Sequence, residues 1–147
     1  MTRAARPGYR RRAVARPSDR LPREGDGRGL ASRAARWFSA TAIMHAQSYA
    51  DDGMVKVTDP ATRTAVARVQ GSLWRPYTVD VAAPVTAPGT LRCGCSCAVG
   101  ERGETCKHMY AVLLMLDRNR VDLAFDAQRA RVEVAPYKKD AADFVLW

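Results

Sequence analysis

Apolar residues along this chain follow one period, then another, then the first again. Between Leu30 and Ala50 there is no Pro or Gly and alanine is frequent. Trp37, Ala40, Thr41 and Met44 fall roughly on one helical face there, which predicts a helix. Tyr49-Ala-Asp-Asp-Gly53 closes it as a turn. The period then drops to two. Val55 and Val57 alternate with Met54, Lys56 and Thr58, and Asp59-Pro60-Ala-Thr predicts a turn. Ala65, Ala67 and Val69 form a second strand that ends at Gly71-Ser72. Tyr77, Val79 and Val81 form a third, with Pro76 confined to its start, and Thr90-Leu-Arg-Cys93 begins a short fourth. Three or four short strands with one apolar face need a covering element.

The second helical pattern supplies it. Met109, Val112, Leu113 and Leu116 recur at i, i+3, i+4 and i+7, and Asp117-Arg-Asn-Arg120 is a polar end. Beyond it the pattern is ambiguous: Val121-Asp-Leu-Ala-Phe125 fits a continued helix and Val132-Glu-Val134 fits a strand. Phe144-Val-Leu-Trp147 is an apolar end that either packs back or frays. The fold expected is α+β: a small antiparallel β-sheet with a metal-anchored helix packed on it, preceded by a helix and a disordered basic N-terminal arm.

Charge sharpens the boundaries. The chain has 147 residues and a formal net charge of +9. Eleven arginines against three acidic residues place +8 of that charge before Trp37, so the body is nearly neutral. Residues 1–29 combine Arg, Pro and Gly with almost no large apolar side chains and are expected to be disordered. The division expected is an arm at 1–29, a domain at 30–118 and a C-terminal extension at 119–147. No run of about 18 apolar residues is present, and the N-terminus has no apolar signal region, so no membrane partner is expected. The four cysteines, gathered in one stretch, are unlike a secreted disulfide framework. The compartment expected is reducing and cytoplasmic.

That stretch carries the candidate chemistry. Cys93-Gly-Cys-Ser-Cys97 is followed by Cys106-Lys-His108, which runs directly into the second helix. Thiolates and an imidazole are the ligands of a soft or borderline divalent ion, and Zn²⁺ fits them best. Residues i and i+2 of a strand face the same side, so Cys93/Cys95 and Cys95/Cys97 each offer a ligand pair, and Cys106 with His108 offers another. Val99-Gly-Glu-Arg-Gly-Glu-Thr105 holds two glycines for the reversal between them. A filled Cys₃His site has no open position and is structural. His45 is expected to be a surface or packing residue, and Glu101 and Glu104 solvent-facing loop residues.

Cys-x-Cys, a spacer, then Cys-x-His entering an apolar helix resembles the SWIM zinc finger. Cys95-Ser-Cys97-Ala-Val-Gly-Glu-Arg-Gly-Glu-Thr-Cys106-Lys-His108-Met-Tyr-Ala-Val-Leu is similar to bacterial stand-alone members. Tyr49-Ala, Ala67-Arg-Val-Gln-Gly-Ser72 and Tyr77-Thr-Val79 add to the likeness, which covers about residues 37 to 118. Ala98 stands where proline is common, and Cys93 is additional. The resemblance implies one structural zinc held by Cys95, Cys97, Cys106 and His108, with Cys93 as the alternative ligand. It also implies a module acting by binding, since such domains occur beside Snf-type helicases, transposases and ubiquitin ligases.

No P-loop, acidic catalytic set or RING spacing accompanies the motif, so no enzyme is expected. The function expected is binding of nucleic acid, DNA first, or a role in a DNA-associated complex. The arm, with Arg10, Arg11 and Arg12, would supply most phosphate contacts, and Arg92, Arg102 and Lys107 local ones. The alternative is a protein-interaction module that partners a separately encoded helicase.

Overall fold

The computed structural model describes residues 29–72 and 74–135. The expectations for the arm before Gly29, including Arg10, Arg11 and Arg12, and for Phe144–Trp147 lie outside the described residues.

The first helical segment is two helices, α1 (Leu30–Ala34), continued by a 3₁₀ turn at Ala35–Trp37, and α2 (Ala40–Asp51). Phe38 breaks it with extended backbone (φ −122°, ψ 147°), and Ser39 Oγ then accepts from the Ala42 N–H at 3.0 Å, capping α2. The break turns Phe38 into the core, edge-on to Tyr110 with ring centres 5.0 Å apart. It also corrects the buried face. Trp37 and Met44 are 41% and 58% exposed, while Ala46 and Ala50 are buried with Ile43 and Tyr49 half-buried. Small alanines let α2 lie close against its neighbour helix, and the larger side chains face outward.

Five strands follow: β1 (Val55–Pro60), β2 (Thr64–Val69), β3 (Tyr77–Ala82), β4 (Thr90–Cys95) and β5 (Arg131–Val134), in that spatial order. β1 to β4 are antiparallel neighbours. The turn expected at Asp59-Pro60 lies after them, because Thr58 forms a bulge in β1 that carries the pairing to Pro60↔Ala65. Proline is tolerated there because β1 is an edge strand.

The second helical pattern is α4 (Lys107–Arg118), the centre of the molecule. Its expected stripe of Met109, Val112, Leu113 and Leu116 is buried, and so are Tyr110, Ala111, Leu114 and Asp117. The sheet covers one side of α4, and α1 and α2 cover the other. Past Asn119 the helix ends in a Schellman arrangement: Arg120 is left-handed (φ 61°), the Val121 N–H donates to Leu116 O at 2.8 Å and the Arg120 N–H to Asp117 O at 3.1 Å. Val121–Phe125 therefore does not continue the helix. Leu123 and Ala124 are also left-handed (φ 55° and 53°), which drops Leu123 and Phe125 into the core. The chain then enters β5, which pairs parallel to β4. The architecture is α+β, with residues 121–134 contributing to the same core.

A buried carboxylate joins the ends of this core. Asp117 accepts from the Leu30 N–H at 2.7 Å and the Ala31 N–H at 3.0 Å. It thereby caps α1, whose own N-cap residue, Gly29, has no side chain to do so.

Candidate metal centre

β4 explains which cysteines meet. Leu91, Cys93 and Cys95 are buried at alternate positions, while Arg92 between them is exposed. Ser96 fastens the strand exit to β3: its N–H donates to Thr78 O and its Oγ accepts from the Thr78 N–H, each at 3.0 Å. Cys97 then caps the short helix α3 (Ala98–Glu101), its Sγ accepting from the Gly100 N–H at 3.3 Å. Gly103 (φ 82°) completes the reversal, and Cys106 is the N-cap of α4 with His108 in its first turn.

Donor atoms of Cys95, Cys97, Cys106 and His108 lie within 4.8 Å of one another, and all four residues are buried. His108 Nδ1 is 3.7 Å from Cys95 Sγ and 3.8 Å from Cys106 Sγ. A tetrahedral zinc with ordinary Zn–S and Zn–N bonds separates S from N by about 3.6 Å. The four side chains fit one structural zinc ion. Their electrostatics agree. The Cys106 and Cys95 thiols, as hydrogen-bond partners, hold Cys97 below the usual thiol range, and the same contacts push Cys95 up. Three buried thiols this close ionise together only around a cation.

Cys93 is excluded from the cluster by geometry. It sits two residues deeper in β4, about 7 Å along the strand, paired opposite Val81 and Val134 and 1% exposed. Burial first, then Asp80 and Cys106, pushes its thiol up to about 12, so it stays neutral near pH 8 and is a poor nucleophile.

Two side chains that the motif does not contain hold the imidazole. Tyr49 from α2 meets the His108 ring edge-on at 5.4 Å, and Tyr77 from β3 lies tilted against it at 4.6 Å. Nε2 of His108 is buried with no hydrogen-bond partner among the described residues, so these rings take the orienting role that an outer-shell acceptor often has. The signal in the sequence was only a tyrosine closing α2 and another opening β3.

Gly100 is the tightest point of the centre. A Cβ there would lie 2.4 Å from Cys95 O and 2.8 Å from Cys95 Cβ. Gly100→Ala should therefore push α3 away from β4, cost about 1–3 kcal/mol and weaken zinc retention. Denaturation at fixed free zinc, with chelator competition, measures both, and wild-type values in both would refute the close approach.

The basic candidates do not converge. Arg92 projects to the opposite face of the sheet from Cys93 and Cys95 and pairs with Glu133 at 3.5 Å. Arg102 pairs with Glu104 at 3.6 Å in the exposed loop. Lys107 alone of the three lies beside the zinc ligands, its ammonium 5.7 Å from the centre of the Tyr49 ring. His45 is exposed and outside the cluster, and Glu101 and Glu104 are exposed.

Residues 77–117, from the first residue of β3 to the last turn of α4, match the family model of the SWIM zinc finger. No curated protein and no solved structure matches the chain.

Proposed function

We propose, with the SWIM zinc finger at residues 77–117 as the premise, that this chain is a binding module whose zinc is structural and whose arginine-rich N-terminal segment contacts nucleic acid, DNA in the first instance. A Cys₃His set fills a tetrahedron, so the ion stabilises a surface and has no position left for a substrate. The observation that carries the nucleic-acid reading is the segregation of charge, with +8 of the net +9 in residues 1–36. Arg10, Arg11 and Arg12 would make phosphate contacts accompanied by counterion release. Arg92 and Arg102, already opposite glutamates, would add less, and Lys107 would add a contact beside the zinc.

The test is an anisotropy titration of labelled duplex and single-stranded DNA over a range of salt, with the full chain and with residues 1–28 deleted. The deletion should weaken binding and flatten the salt dependence, while zinc content stays the same. An unchanged salt slope would refute the role of the arm. The second reading is a protein partner, a separately made Snf-type helicase among the candidates, and the exposure of Trp37, Met44 and Trp74 supports it.

A further inference from the structure

Two depressions of about 400 and 510 Å³ lie side by side along α2 and share His45 and Lys107 as a common wall. The first runs between α2 and the zinc loop, over Cys97, Val99 and Thr105. The second runs between the end of α2 and the β2–β3 connection, over Met54 and Gly71-Ser72. Together they make one groove beside the metal centre, with Thr41, His45, Ser48 and Asp52 of α2 as one bank.

Five large hydrophobic side chains are exposed among the described residues, and four of them border this groove. Trp37, 41% exposed, stands at one end, where Thr105 Oγ1 donates to its carbonyl at 2.9 Å. Met54, also 41% exposed, lines the other end. Met44, 58% exposed, flanks the bank one turn from Thr41 and from Ser48. Trp74, 82% exposed, rises from the β2–β3 connection with the Arg75 guanidinium 4.7 Å from its ring centre. Water-facing tryptophan and methionine concentrated around one concavity are the composition of a protein interface core, where rigid aromatic anchors and adaptable thioethers are enriched.

Charge separates the candidate occupants. Lys107 stands at the junction of the two depressions with no salt bridge among the described residues. Asp52 stands at the Met54 end, where a continuous phosphate chain would be repelled and a peptide that is acidic only at its centre would not. We infer that this groove docks a short segment of a partner protein, with apolar side chains in the two depressions and a carboxylate between them on Lys107. The inference rests on the reading of the chain as a binding module with a protein partner and is independent of any contact between the arm and nucleic acid.

The probe is a phage-displayed library of random peptides of about 12 residues, selected on the zinc-loaded full chain. The best peptide is then titrated against wild type and against Trp74→Ala, Met44→Glu and Lys107→Glu, with zinc measured in each. The arm is common to all four proteins, so its general attraction for acidic peptides cancels in the comparison. The result expected is an apolar–acidic–apolar consensus that each substitution weakens roughly tenfold or more, with zinc content unchanged in Trp74→Ala and Met44→Glu. An absent consensus, or affinities that the substitutions leave unchanged, overturns the proposal. So does oligo(dT) binding that depends on Trp74 and Lys107 and displaces the peptide, which would make the groove a nucleic-acid site. Self-association abolished by Met44→Glu would overturn it too, by making the groove a contact between copies. An arm deletion that leaves the salt slope unchanged counts against the nucleic-acid reading and leaves this one standing.

Discussion

Chelation of the zinc is expected to release the centre of the fold, because the ion ties together four separate backbone elements. Cys95 ends β4, Cys97 caps α3, Cys106 caps α4 and His108 lies in the first turn of α4. In small zinc modules such a site contributes on the order of 10 kcal/mol of folding free energy, comparable to the whole stability of a domain this size. One zinc per chain is expected, and cobalt in its place should show the absorption of a tetrahedral three-sulfur, one-nitrogen site. His108→Ala, Cys97→Ser or Cys106→Ser should each lower zinc affinity by more than the roughly 10–100-fold that outer-shell changes alone produce. Cys93→Ala should leave the stoichiometry at one and cost only what a small buried side chain costs. Zinc content unchanged in His108→Ala, or lost in Cys93→Ala, would refute the ligand set. In the apo protein, hydrogen exchange should lose protection first between Cys95 and His108, since β1 and β2 pair without help from the metal.

Asp117→Ala is expected to be the most damaging substitution away from the metal. It leaves the Leu30 and Ala31 amides, both buried, without the carboxylate they donate to. An unsatisfied buried amide costs about 1–3 kcal/mol, so two bring the loss to several kcal/mol, read as a lowered denaturation midpoint at constant free zinc. Asp117→Asn keeps one acceptor and turns an amide donor toward the other N–H, so it should fall between wild type and alanine. Gly29 gives a sharper check. A Cβ there would lie 2.4 Å from Asp117 Oδ2, so Gly29→Ala should be destabilising on its own. In the Asp117→Ala background it should cost little, because the obstructing carboxylate is gone. Strict additivity of the two would mean that the clamp is not the source of either effect.

Legibility followed the range of the interactions. The second helix and the strands at Ala65–Val69 and Tyr77–Val81 were readable because one face of each is buried and the period shows it. The break at Phe38 was not, since a run of helix formers through Ser39 is locally sound. Burying Phe38 against Tyr110, 72 residues later in the chain, is what favours the break. The exposed side of α2 was misassigned for the same reason: two alanines, Ala46 and Ala50, give the closer helix contact, and hydrophobicity alone pointed to Trp37 and Met44. Asp117 read as a solvated helix end because nothing local shows that its partners come from α1.

At the metal centre the division is just as physical. Residue types and spacing by themselves determined that this stretch holds a soft-metal site and that a helix starts on it, because thiolate and imidazole chemistry and the period of α4 are local properties. Only the tertiary structure decided, by geometry, between the two Cys-x-Cys registers: β4 runs too far between Cys93 and the other donors for one ion to reach them all. It alone placed Tyr49 and Tyr77 against His108 and Gly100 against Cys95, contacts made between elements that the chain keeps apart. It also gathered Trp37, Met44, Met54 and Trp74 around one groove, which no periodicity in their sequence positions could show.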